Sequence, residues 1–110
     1  MYSKNLKFIF FGTPDVASKT LEILKKNGYV PEIIITSPDT KKGRGLIMSE
    51  TPVSLWAREN NIVCLKPDKI DENFIKELSL SPADLYVVVA YGKILPENLI
   101  NIPELGTVNV

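Results

Sequence analysis

Residues 85–90 read LYVVVA, Leu85-Tyr86-Val87-Val88-Val89-Ala90, six positions without a charged or amide side chain. A strand with one wet face alternates apolar and polar residues. A short unbroken run this rich in valine fits a strand covered on both faces, the setting of a parallel sheet flanked by helices. Reading outward, Lys7–Gly12, Ile33–Ile35 and Ile62–Leu65 are further apolar runs of strand length, and Thr107–Val110 is another. Helical patterns separate them. Thr13 is a candidate N-cap with Pro14 at the first helical position, Ala17, Leu21 and Leu24 share one face, and Gly28 supplies the stop. Thr51-Pro52 repeats the signal ahead of Val53, Trp56 and Ala57. Asp71 opens a helix carrying Phe74, Ile75 and Leu78, and Pro96 opens a short one that ends near Pro103. This alternation predicts one α/β domain over residues 1–110, with a doubly wound, mostly parallel, Rossmann-like sheet. Ligands bind such sheets beyond the carboxyl ends of the strands. The loops after Phe11, Ile35, Ala90 and the last strand are therefore the ones to inspect.

Composition narrows the chemistry. Thirteen basic and thirteen acidic residues cancel, so no global field draws in a polyanion, and nucleic-acid contact would need a local patch. The single cysteine, Cys64, cannot form an internal disulfide and reads as a small buried hydrophobe; with no histidine, no zinc set is expected. No apolar stretch has the length of a membrane span, and Met1–Lys7 lacks the apolar region of a secretory leader, so a cytoplasmic protein is expected. The lack of histidine matters most, because acid–base enzymes working near neutral pH usually recruit it.

Four segments carry possible chemistry. Phe11-Gly12-Thr13-Pro14-Asp15-Val16 stands where a dinucleotide-binding protein has its phosphate loop, but its lone glycine does not make G-x-G-x-x-G, and no G-K-[ST] exists. An anion could still sit at this helix start, and a plain capped turn explains the residues equally well. Asp39 is a weak candidate for the acid that follows the second strand in dinucleotide sites. The connection Ser37–Glu50 is unusually long. Within it Lys41, Lys42 and Arg44, beside Gly43 and Gly45, suit phosphate contacts, although composition alone favours a solvated flexible insertion. Ala90–Pro96 offers Tyr91, Ile94 and Leu95 around Gly92, a setting for a planar heterocycle read by backbone groups; an ordinary strand-to-helix corner is the plainer reading. Finally Asn109, a poor strand former, lies between Val108 and Val110 in a run that stops while still strand-like. It is either an edge residue or an amide held on a buried strand, where it could donate to an oxyanion.

The order of these pieces resembles the amino-terminal part of the methionyl-tRNA formyltransferase family over essentially the whole chain. The matching residues are Phe11–Asp15, Pro38-Asp39 with Gly43–Gly45, and Thr51–Val53. Val88–Gly92 with Ile94–Pro96, and Leu105-Gly106 with Asn109-Val110, complete the set. The resemblance implies a formyltransferase fold truncated at the fifth strand. It implies transfer of a formyl group from 10-formyltetrahydrofolate to the α-amine of methionine on initiator tRNA, a step of translation initiation fed by one-carbon metabolism. In this family an Asn, a His two residues later and a distant Asp surround the reacting carbon. Asn109 matches the Asn, and the His would share its strand face immediately after Val110. Tyr91, Gly92, Ile94 and Leu95 would line the pterin pocket; Lys93 stands at a variable position of the family, and only its backbone is carried over. Lys41, Lys42 and Arg44 would meet the acceptor stem, and Gly12 and Thr13 would border the acceptor site. No metal is implied.

The chain departs from the family pattern at Val16, where an aromatic is common, and lacks the family's His, serine–leucine–leucine–proline segment, Asp and basic carboxy-terminal domain. An incomplete, inactive portion of a monomeric enzyme is therefore expected. The oligomeric state of the portion stays open, since a last strand with a bare edge invites pairing. Two alternatives remain: a folate-dependent formyltransferase acting on an amino-sugar nucleotide, and a non-catalytic folate- or nucleotide-binding module.

Overall fold

The structure, a computed structural model, describes residues 6–110, so most of the leader reading of Met1–Lys7 falls outside the described residues. Phe8–Gly12 (β1) is buried at every position. It pairs in parallel with Ile33–Ile35 (β2) on one side and with Leu85–Val89 (β6) on the other. Val63–Leu65 (β5) joins β2, and Thr107–Asn109 (β7) joins β6, again in parallel. The resulting order, β5-β2-β1-β6-β7, is that of a doubly wound sheet, with its reversal of direction at β1.

Pleating divides the core between two faces. Phe8 and Phe10 of β1 pack with Ala17 and Leu21 of helix α1 (Asp15–Lys26) and with Val53, Trp56 and Ala57 of α2 (Pro52–Glu59). Ile9 and Phe11 point the other way, toward Phe74 and Leu78 of α3 (Glu72–Ser79) and Leu99 of α4 (Glu97–Ile100). Burying each such side chain is worth roughly 1.5–3 kcal/mol, so β1 organises both layers. The predicted double coverage of the valine-rich strand holds for Tyr86, Val88 and Val89. It fails in part for Leu85 and Val87, which line an open apolar groove with Leu24, Tyr29 and Val110, because α1 covers only part of β6 on that face. Cys64 is likewise half-buried rather than buried, because its strand is the sheet's other edge; desolvation pushes its thiol pKa up.

Helix starts follow the sequence with one correction. Thr51 and Asp71 cap as expected, accepting from the backbone N–H of Ser54 and of Phe74. Thr13 does not cap α1: the helix starts at Asp15 behind Pro14, and Pro14's carbonyl takes the N–H groups of Ala17 and Ser18. Gly28 terminates α1 with φ +90, a left-handed conformation that glycine adopts without a Cβ penalty.

The long connection is exposed but not irregular. Thr40–Lys42 (β3) and Ile47–Ser49 (β4) form an antiparallel hairpin closed by Gly43–Leu46, with Leu46 N–H on Gly43 O at 3.1 Å. An ion pair stands at each foot. Asp39 meets Lys66 at 2.7 Å, while Glu50 accepts from Arg58 at 2.5 Å and from Ser54 at 2.8 Å. Arg58's hydrogen bond, then Ser54's, holds the Glu50 carboxyl below the usual carboxylate range.

Two predictions come from this packing. A Cβ on Gly12 would meet Ala17 Cβ at 2.7 Å and Val89 O at 2.8 Å, and neither can swing aside. Gly12→Ala should therefore cost about 1–3 kcal/mol in urea unfolding. The Tyr86 and Tyr91 hydroxyls are buried without a hydrogen-bond partner among the described residues, and burial pushes both phenols up to about 12. The folded chain then keeps protons that the unfolded chain loses near its ordinary value of about 10, so stability is fully present below that pH and falls as pH rises toward 12. Melting temperatures between pH 8 and 12 should show this fall. Tyr86→Phe should roughly halve its slope while costing under about 1 kcal/mol at neutral pH.

Candidate active site

The parallel register brings the carboxyl ends of β1, β2 and β6 to one rim of the sheet, and their loops meet there. Thr13's hydroxyl lies 3.2 Å from the Tyr91 carbonyl, to which it donates, and 3.1 Å from Ser37 Oγ. One threonine thus joins the loops that leave β1, β2 and β6. That role explains why Thr13 is not an N-cap: its hydroxyl is committed across the rim.

Two depressions flank this junction. The first, about 420 Å³, lies between β7, α4 and the loop after β6, and Lys93, Ile94, Leu95, Thr107 and Asn109 line it. The second, about 320 Å³, lies between the first loop and the base of the hairpin, where Thr13, Ser37, Lys42 and Thr51 contribute polar groups. The structure therefore gathers Ile94, Leu95 and Asn109 in one cleft, and Thr13 with Lys42 in another.

The remaining candidates sit elsewhere. Tyr91 is buried, its ring edge-on to Phe11 at a centroid distance of 5.6 Å, so the tyrosine offers the rim its carbonyl rather than its ring. Gly92 is exposed at φ +88, and a Cβ there would meet nothing within 4 Å, so the glycine answers a requirement of backbone conformation and not of space. Gly12 is buried beneath α1 and presents no open surface. Lys41 and Arg44 project from the exposed hairpin, outside both depressions. Asn109 is exposed in these 110 residues, where β7 pairs with β6 in the described sheet. Asp39, a candidate ribose-binding acid by its position, is engaged by Lys66.

Several residues of this rim carry no sequence signal. Ser37 and Thr107 look like ordinary loop and strand polar residues. Thr107 Oγ1 donates to Ile100 O at 2.7 Å and ties β7 to α4. Lys93 sits between two residues expected to line the pocket, yet its ammonium reaches back to the segment after β5. Among the described residues no cluster of histidine, cysteine, aspartate or glutamate could hold a metal ion, and no helix is long and apolar enough to cross a membrane.

Comparison with known proteins agrees with this architecture. Residues 4–110 match the formyl transferase family. The chain is 43% identical over 107 residues to a methionyl-tRNA formyltransferase of Sulfurihydrogenibium sp. (strain YO3AOP1), covering 96% of this chain and 34% of that protein. A methionyl-tRNA formyltransferase of Prochlorococcus marinus subsp. pastoris is 41% identical over 106 residues, covering 94% and 32%. One from Clostridioides difficile (strain 630) is 41% identical over 106 residues, covering 96% and 34%. The chain spans about a third of the length of the curated relatives it matches. With that match running through every strand of the sheet and both rim depressions, the chain belongs to the formyl transferase family.

Proposed function

We propose that this chain is the donor- and acceptor-binding part of an enzyme that moves a formyl group from 10-formyltetrahydrofolate to the amino group of methionyl initiator tRNA, acting in the cytoplasm. The observation that supports it most is the shared cleft: Ile94 and Leu95 stand beside Asn109 at the carboxyl rim of the sheet. In this reading the flat pterin lies against Ile94 and Leu95, with Gly92 leaving the backbone open to it. The methionyl amine enters from the side of Thr13, and Lys41, Lys42 and Arg44 on the hairpin meet the phosphates of the acceptor end.

The chemistry then follows from the groups present. The amine lone pair attacks the formyl carbon, and the carbonyl π pair moves onto oxygen. The Asn109 carboxamide can donate an N–H to that oxyanion, a contact stronger in the tetrahedral intermediate than in the planar donor. Collapse expels the folate nitrogen, which gains a proton while the former amine loses one. That exchange needs an acid–base group near neutral pH, and these 110 residues hold no histidine. Asn109 thus supplies stabilisation of charge without a partner for the proton.

The test has two parts. The 110-residue chain, mixed with 10-formyltetrahydrofolate and charged initiator tRNA, should form no formylmethionyl-tRNA above background, and normal turnover would sink this reading. The same chain should bind the stable isomer 5-formyltetrahydrofolate saturably in calorimetry, and silent titrations would remove the donor cleft. In a longer, active form, Asn109→Ala should lower kcat about 100–1000-fold, the usual effect of losing one oxyanion donor. Arg44→Ala there should raise KM for tRNA about tenfold with little change in kcat, the loss of one charge-assisted phosphate contact. Unaltered tRNA kinetics would point instead to a small acceptor such as an amino-sugar nucleotide.

A further inference from the structure

The loop that presents Ile94 and Leu95 is held at its start by Thr13's hydrogen bond to Tyr91 O and at its end by the partly buried Leu95, with little between them. Among the described residues no backbone–backbone hydrogen bond involves Gly92, Lys93, Ile94 or Leu95. Ile94 is 93% exposed, so its side chain adds almost no packing. The entry to the loop is conformationally costly at Ala90, whose φ of +51 costs an alanine about 1–2 kcal/mol, while Gly92 takes φ +88 without a Cβ penalty. Something must offset this, and a lysine does. Lys93 Nζ donates to Pro67 O at 2.9 Å and to Asp68 O at 2.8 Å. These carbonyls belong to the segment that leaves β5, a strand separated from β6 in the sheet by β2 and β1. The same segment begins with Lys66, which grips Asp39 at the foot of the hairpin. Lys66–Asp68 is therefore a common anchor for two rim loops.

We infer that Lys93 is a positioning residue for the formyl donor: its ammonium, bridged between Pro67 O and Asp68 O, fixes the loop that sets Ile94 and Leu95 against the donor beside Asn109. This rests on the proposed donor cleft. It goes beyond the family resemblance, which gave the side chain of Lys93 no role. Charge-assisted hydrogen bonds to two carbonyls are strong enough to order a short loop that has little else to hold it between its ends.

The experiment uses the 110-residue chain with Lys93→Met, which keeps the side-chain length and removes the donors, and Lys93→Arg, which keeps charge and donors. Lys93 is partly exposed, so both variants should melt like the parent. Backbone ¹⁵N relaxation reads the loop without any ligand, and calorimetry with 5-formyltetrahydrofolate reads the cleft. The parent should give order parameters of about 0.85 at Gly92–Leu95, and Lys93→Met should drop them below about 0.6. Lys93→Met should also weaken binding of the folate about tenfold, the scale of losing one charged hydrogen-bond site. Lys93→Arg should recover both. Unchanged order parameters in Lys93→Met would overturn the inference. So would weaker binding with an equally rigid loop, which would mark Lys93 as a direct ligand contact, and so would a loosened loop that binds as before. A parent chain that binds no folate while Lys93→Met still loosens the loop would uphold the tether and remove the donor reading alone.

Discussion

The structure depends on how closely β1 can be enclosed. Its five residues are buried; all five pair with β6 and the middle three with β2, and the last has no side chain. At Gly12 the strand runs between Ala17 of α1 and the Val89 carbonyl of β6, and any Cβ would have to displace one of them. That near-contact lets α1 begin directly behind the strand. It also holds Gly12 level with Val89 in the parallel register, so the chain leaves β1 and β6 side by side. Thr13, one residue past Gly12, and Tyr91, two past Val89, are then near enough for a hydrogen bond, and the rim site exists because of that adjacency.

A neutral chain places its charge unevenly. The two ion pairs of the described residues both stand at the feet of the hairpin, one on each strand's approach. They are partly exposed, and contacts of that kind contribute little to global stability. Their value is geometric. The hairpin has no buried residue, so no apolar packing fixes how it projects from the body. Asp39 and Glu50 supply that fix through Lys66 and Arg58, with Lys42 on the second depression and Lys41 and Arg44 outside it. Glu50's lowered pKa keeps its pair intact above the usual carboxylate range, and the pair is lost only as pH falls through that depressed value.

The layered fold is readable in the sequence because helix and strand periodicities report burial, and burial is nearly complete here along β1 and over much of β6. Thr51 and Asp71 are readable as caps because a cap is a local event, complete within four residues. Thr13 has the same local signature and does something else, since its hydroxyl finds partners 24 and 78 residues away. The hairpin is hidden for a related reason: its strands are three residues each, and neither face of it is buried, so no alternation marks them. Of the candidate site, Ile94, Leu95 and Asn109 can be grouped from the family resemblance. Lys93 cannot, because its partners are two backbone carbonyls, which leave no trace in side-chain identity.

Asn109 reads in the sequence as either an edge residue or an amide held in place by need, and its surroundings combine parts of both. In these 110 residues it is exposed and its strand pairs with β6. Yet the residues around it are pinned. Thr107 is tied to Ile100 of α4 through its hydroxyl, and the Val110 N–H donates to Val88 O at 2.9 Å, so the backbone is fixed on both sides of the asparagine. Val88 also lines the cleft that Asn109 faces. Among the described residues the Asn109 carboxamide has no hydrogen-bond partner, so its N–H donors are uncommitted on a backbone that is itself held. An interior asparagine of the same sheet would have its donors already spent on neighbours. Among the described residues Asn109 thus joins a backbone held on both sides to a carboxamide that no protein group has claimed.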